Sequence, residues 1–281
     1  MSPPDPRGIH TRGRWPPPDG PRVAIVGSRR PSPYGEAVAE QLGADLARAK
    51  VIVVSGLALG IDAAAHRGAL NGGGVTVAVM GTGVDIIYPA AHSRLAEEIL
   101  SAGGALVSQF PDGTVPRRQN FPARNWTMAA LSDVVVVVEA GEGSGALITA
   151  EAALHLHKEV MAVPGSVFSA LSVGTHGLLR DGAGLVQNAR DVIAVLGLGG
   201  EVLDDPLQPP ERLGFALQPE RDGMVAHLSD VLALSAADLA RKLQLPVSEV
   251  LGRLTALELD GAVRRHGAGY IRALRRGKER A

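Results

Sequence analysis

From Val23 onward the chain alternates between two hydrophobic patterns. Short aliphatic, β-branched runs give way to longer stretches whose apolar residues recur at helical spacing, and the runs then return. The runs predict strands at Val23–Val26, Val51–Ser55, Thr76–Met80, Ala105–Val107, Val134–Glu139, Val160–Val163 and Gly184–Val186. The stretches between them predict helices at Tyr34–Ala49, Ile61–Leu70, His92–Ala102, Asn125–Leu131, Ala146–His157 and Arg190–Leu196. Strands that alternate with helices, and that read as continuous apolar runs, call for an α/β fold with a doubly wound, mostly parallel sheet. The loops after the strands then gather on one edge, where ligands of such folds bind.

The pattern fails at both ends. Residues 1–21 hold seven prolines and almost nothing apolar, which predicts a disordered lead-in before the 22–197 domain. A Gly/Pro/acidic linker at 198–221 separates that domain from a second one at 222–274, and a basic tail occupies 275–281. The second domain predicts a helical stretch near Val225–Leu232 and a helix opened by Ser235 with Asp238 three residues on. A turn at Leu245-Pro246 follows, then a third helix over Val247–Leu259 and a hairpin around Gly267-Ala268-Gly269. That order describes a winged helix. Its third helix sets Arg253 against Glu249, Glu258 and Asp260, poor company for phosphates, so a protein-contact or auxiliary role is expected of it.

Composition removes several function classes. No apolar run reaches the roughly 18 residues of a membrane span, and the N-terminus lacks a basic-then-apolar leader pattern. With no cysteine there are no disulfides and no thiolate metal sites, which suits the cytoplasm. The net charge of −1 means that any nucleic-acid surface must be a local patch.

Candidate chemistry concentrates in the loops. After the first strand stand Gly27, Ser28, Arg29 and Arg30, a turn whose backbone N–H groups attract anions and whose arginines can add bidentate phosphate contacts. Taken alone, that turn reads equally well as a plain strand-to-helix connection. After the second strand come Ser55 and Gly56, leading to Asp62 and His66, and after the third come Gly81, Asp85 and Tyr88. After the fourth, Phe110 to Leu131 carries Arg117, Arg118, Asn120, Phe121, Arg124, Asn125 and Trp126; Pro122 restricts Phe121 to extended backbone. Ser144 and Gly145 follow the fifth. Glycine-bearing loops repeated on one edge favour a polyanion or nucleotide site.

Cofactor readings fail on detail. G-x-G-x-x-G and a Walker lysine are both missing, so neither NAD nor a P-loop ATPase fits. Asp62 with His66, and Asp85 with Tyr88, read as capping and loop-fixing groups ahead of catalytic ones. His155 and His157, two apart on a helix, face different directions and make no metal pair. No cofactor and no metal is expected.

The blocks VAIVGSR, SGLALGIDAAAH, GTGVDIIYP, NFPARN, LSDVVVVVEAGEGSGALITA and AVPGS, in that order over Val23 to Leu196, resemble the DNA-processing protein A family (DprA/Smf). The resemblance implies an extended Rossmann-like domain that binds single-stranded DNA and loads the RecA recombinase during natural transformation and recombination. It further implies no catalysis and a homodimer. By position it places the DNA pocket on Gly27, Ser28, Arg29, Arg118, Phe121, Ser144 and Gly145. The chain departs from the family at Trp126, where a second arginine usually follows R-N, and at Gln109, where an acid often stands. Many members also carry an N-terminal helical domain, which 1–21 is too short to supply. The competing reading is a nucleotide-cleaving enzyme of the same broad Rossmann-like group; its P-G-G-x-G-T-x-x-E motif is replaced by Glu142-Gly143-Ser144-Gly145-Ala146-Leu147. A sequence-specific repressor built on the winged helix is disfavoured by the acidic third helix.

Overall fold

The computed structural model describes residues 8–198, 224–229, 233–259 and 262–273. Contacts divide the chain into two compact units, Met1–Leu207 and Gln208–Ala281.

The first unit is built on a strand with no polar side chain past its first residue, β2 (Arg22–Val26); β1 (His10–Gly13) precedes it. Parallel strands extend the sheet from β2 in both directions. On one side lie β3 (Ile52–Ser55), β4 (Thr76–Val79) and β5 (Ala105–Ser108), and on the other β6 (Val134–Val137), β7 (Glu159–Ala162) and β8 (Gly184–Leu185). The direction of growth therefore reverses between β2 and β6, the switch point at which such sheets open a crevice beyond their carboxyl ends. Side chains alternate across the sheet, as strand geometry requires. Val23, Ile25, Val53, Val134 and Val136 pack with Leu42, Leu46, Ala65, Val192 and Ile193 from α1 (Pro33–Arg48), α2 (Ile61–Asn71) and α7 (Ala189–Val195). Ala24, Val26, Val54, Val135 and Val137 pack the other way, with Met128, Ala129, Ala146 and Ala150 of α4 (Asn120–Ala130) and α5 (Gly145–His155). The helix α3 (Ser93–Ser101) closes a third cluster through Leu95 and Ile99.

Three segments differ from the sequence expectation. The lead-in, expected to be disordered, is a strand over His10–Gly13 that pairs antiparallel with Ala105–Ser108. All four of its residues are exposed, so its order comes from backbone pairing that hydrophobic periodicity does not report, and it covers the outer edge of β5. Trp15 just beyond packs on the core. The helix α4 begins at Asn120, five residues ahead of the expected Asn125, which makes Phe121 helical and not extended. Pro122 is tolerated because N–H groups in a first turn have no intrahelical acceptor to lose. An unexpected helix, α6 (Val173–Arg180), contains Gly174 and Gly177, poor helix formers. Tertiary bonds hold it in place: Gly174 N donates to Ala140 O at 2.8 Å, and Ala140 N to Leu171 O at 2.8 Å.

The second unit is a winged helix. A single helical turn over Val225–His227 precedes α8 (Ala236–Leu243), whose N-cap Ser235 accepts from Asp238 N at 3.1 Å. Then follow α9 (Val247–Leu259) and the antiparallel wing of β9 (Val263–His266) and β10 (Gly269–Arg272). Leu239, Val250, Leu254, Val263 and Tyr270 form its core. On α9, Arg253 Nη2 donates to Glu249 Oε1 at 2.6 Å, so its charge is met within the helix. The linker at 198–221 and the tail at 275–281 fall outside the described residues apart from Leu198, as do 230–232 of the expected first helix.

Candidate nucleic-acid interface

The loops after β2, β4 and β5 and the start of α4 converge on the aromatic ring of Phe121. Asn120 anchors the helix start by donating from Nδ2 to Gly81 O at 3.1 Å in the loop after β4. The half-buried Phe121 ring then lies against Gly81, where a Cβ would stand 2.9 Å from a ring carbon. Tyr88, from the same loop, brings its ring to 5.7 Å between centroids at a tilt of 43°. The guanidinium of Arg29 lies 5.3 Å from the Phe121 centroid, within cation–π range. Arg29 and Arg30 are exposed at the head of this cluster, while Arg117 and Arg118 are exposed just before α4. A groove of about 390 Å³ lies beside Asn120, lined by Phe110, Asp112, Gly113, Thr114, Val115 and Arg117.

Beneath this rim runs a buried polar seam. Arg124, 4 % exposed, places Nη1 at 3.7 Å from Asp62 Oδ2 and donates to Val79 O at 3.2 Å. Gly56 is required there, because a Cβ would overlap the Arg124 guanidinium. Burial pushes the Asp62 carboxyl up, and Arg124 and the Ala58 N–H oppose that shift. One turn along α2, His66 is fully buried with Nδ1 against Thr76 Oγ1 at 2.7 Å. Burial, and then the positive surroundings of His92, Arg124 and Arg67, push it down to about 3, so it is neutral at physiological pH. Asp85 fixes the groove wall by accepting from Gly113 N at 2.9 Å. Asp62, His66 and Asp85 are thus spent on structure, as expected.

The residues singled out in the sequence therefore separate into two sets. Gly27, Ser28, Arg29, Arg30, Arg117, Arg118, Phe121, Ser144 and Gly145 stand on the rim or its supporting turns. Ser28 shapes the first turn: its N donates to Glu139 O at 2.7 Å and its Oγ accepts from Arg30 N at 3.1 Å. Ser144 caps α5, accepting from Ala146 N at 3.4 Å. The structure does not bring Ser55, Asn120, Arg124 or Asn125 to the surface, and Gly56, also expected to meet DNA, is buried beneath the Arg124 guanidinium. Ser55 Oγ donates to Ile25 O at 2.6 Å and Asn125 Nδ2 to Gly145 O at 2.9 Å, so in place of the direct contacts expected of them these four hold the loops. Two residues went unassigned to the interface. Tyr88 was signalled by its place in a strand-end loop, and Glu139 by being a lone acid after an apolar run. The departures from the family pattern also point inward, Trp126 packing on the core 5.7 Å from the His155 ring and Gln109 Oε1 accepting from Thr127 Oγ1. Among the described residues no group of His, Asp and Glu could hold a metal ion.

Fold and site together define a Rossmann-like unit whose switch-point crevice carries a basic, aromatic rim, joined in sequence to a winged helix. Family models match both parts, DNA recombination-mediator protein A over residues 2–197 and the DprA winged helix domain over residues 208–269. The chain belongs to the DprA family of DNA recombination-mediator proteins. It is 44% identical over 239 residues to a putative DNA processing protein DprA of Mycobacterium tuberculosis, covering 85% of this chain and 61% of that protein. It is 40% identical over 260 residues to protein Smf of Escherichia coli, covering 90% of this chain and 68% of that one. The crystal structure of Streptococcus pneumoniae DprA superposes with a TM-score of 0.62 at 41% identity over 66% of this chain and 65% of that one. Helicobacter pylori DprA, solved for its single-stranded DNA binding mode, superposes at 0.60 with 31% identity over 68% and 86%. The chain spans about three fifths of the length of the mycobacterial relative.

Proposed function

We propose that this chain is a non-enzymatic mediator that binds single-stranded DNA on the rim of the switch-point crevice. It hands the strand to the RecA recombinase in transformation and recombination, in the cytoplasm and as a homodimer. The observation that carries the reading is the contact of Arg29 with Phe121, beside Tyr88, with Arg30, Arg117 and Arg118 exposed on the loops that lead into α1 and α4. A ring for base stacking next to guanidinium groups for phosphates is the pairing that sequence-tolerant single-strand binders use. Two carboxylates near the crevice that a nucleotide-cleaving enzyme would need are otherwise engaged, Asp62 by Arg124 and Glu139 by Ser32. A second copy is supported by the sheet edge at β8, where Leu185 is exposed, and by exposed Val167, Phe168 and Val173 in the segment after β7.

Fluorescence anisotropy with a labelled oligonucleotide, alone and annealed to its complement, tests the reading across a salt series. Single strands should bind more tightly at every salt concentration, with affinity falling steeply as salt rises. Equal or tighter binding of the duplex throughout would overturn it.

A further inference from the structure

Two helices of the first unit begin beside the switch point, α1 after β2 and α5 after β6, and the two strands pair directly. The start of a helix in this position is a ready-made phosphate site, since its first N–H groups are unpaired and its dipole favours negative charge. The two starts are treated differently. At α1 the side chain of Glu139 stands against the N-cap residue, while the N–H groups of Gly35 and Glu36 are met by Ser32 itself, through Oγ at 3.1 Å and O at 3.0 Å. Ser32, the N-cap, donates to its carboxylate twice, from the backbone N to Oε2 at 2.8 Å and from Oγ to Oε1 at 2.5 Å. Three residues further, Gly35 leaves room for the carboxyl group that any Cβ would strike. Glu139 is 4 % exposed, and its backbone O also accepts from Ser28 N, so the residue is held at both ends. At α5 the N-cap Ser144 accepts from Ala146 N at 3.4 Å, and among the described residues no carboxylate is bonded to it; a Cβ built on Gly143 or Gly145 meets nothing within 4 Å.

We propose that Glu139 is a specificity-determining residue, an internal anion that occupies the phosphate position at the head of α1. Free phosphate and mononucleotides are thereby refused at the place where nucleotide-binding relatives of the fold would hold them. Phosphates are left to the outer rim, where a single contact is weak and a strand that makes several at once binds well. The carboxylate suits the role because, when ionised, it is an acceptor-only anion, and although burial pushes its pKa up, the two Ser32 hydrogen bonds favour the charged form. The consequence for ligand choice rests on the single-strand reading above; the plug itself does not.

The test compares wild-type protein with Glu139→Ala and Glu139→Gln, using inorganic phosphate and AMP as probes in calorimetry and a labelled oligonucleotide in a parallel anisotropy series. Glu139→Ala should gain at least tenfold in affinity for phosphate and AMP, while Glu139→Gln, which keeps the shape and loses the charge, gains less. A folded Glu139→Ala protein with no gain, or wild-type protein that binds phosphate equally well, overturns the proposal. If Glu139→Ala does not fold in chloride, refolding is compared in phosphate and in chloride at equal ionic strength. Rescue by phosphate supports the plug, and its absence overturns it. A gain in phosphate binding in a protein that never bound the oligonucleotide leaves the plug standing and removes the single-strand reading instead.

Discussion

The seam beneath the start of α4 and the rim above it use the same residue type for opposite purposes. Arg124 is buried against Asp62 and a backbone carbonyl, whereas Arg29, Arg117 and Arg118 are exposed within the same group of loops. A guanidinium carries its charge at any accessible pH, so its surroundings decide what it does. Taken out of water beside a carboxylate, it becomes a costly internal strut that cannot be removed singly. Left in water beside an aromatic ring, it is available to a phosphate. The contrast separates residues that shape the candidate site from residues that would touch DNA.

The sharpest way to break this comparison is to remove the strut. Arg124→Ala leaves Asp62 buried without its partner, and breaking a buried pair on one side costs about 3–5 kcal/mol. Denaturant unfolding should show a loss of that size, with any fall in DNA binding following the loss of fold. Arg124→Met combined with Asp62→Asn should recover much of the stability, because it removes both charges at once. An Arg124→Ala protein of normal stability that no longer bound DNA would show that Arg124 belongs to the rim.

How far this division was legible in the sequence depends on where α4 begins. The sheet strands read clearly, because strands covered on both faces are apolar runs, and so did the capped helix and hairpin of the winged unit. The helix start did not, since a proline at its third residue and three polar residues among its first six hide the period. Once Asn120 is taken as the first residue, Asn120, Arg124, Thr127 and Met128 fall on one helical face, and all four are buried. That spacing marks Arg124 as an inward residue and leaves Arg117 and Arg118 outside. The strand β1 and the helix α6 were not legible, because backbone pairing and two tertiary hydrogen bonds hold them. Tyr88 was read as a loop-fixing group, and only the fold sets it against Phe121.

A smaller effect is expected at the ring itself. Phe121 is half-buried, touching Gly81, Tyr88 and Arg29, and does not belong to the clusters that close the core. Phe121→Ala should therefore cost about 1–3 kcal/mol in single-strand affinity. Its stability loss should stay below the roughly 3–5 kcal/mol of a fully buried Phe→Ala change. Anisotropy and thermal melts on the same preparation separate the two, and unchanged affinity in a folded protein would assign Phe121 to the scaffold.

The smallest effect belongs to Arg118, and it sharpens the comparison most directly because Arg118 and Arg124 lie six positions apart. Among the described residues no hydrogen bond or ion pair engages the Arg118 guanidinium, so Arg118→Ala removes charge without orphaning a partner. Stability should stay within about 0.5 kcal/mol of the parent, the usual range for a surface change of this kind. Its effect should appear in the salt dependence of binding. Each neutralised phosphate releases condensed counterions, so losing one contact lowers the slope of log affinity against log salt by about 0.7 for a single strand. The deficit is then largest at low salt and shrinks as salt rises, whereas a lost hydrogen bond without charge would weaken binding by the same factor throughout. Parallel curves for Arg118→Ala and parent would remove Arg118 from the phosphate contacts and leave Arg29, Arg30 and Arg117 to supply the charge of the rim.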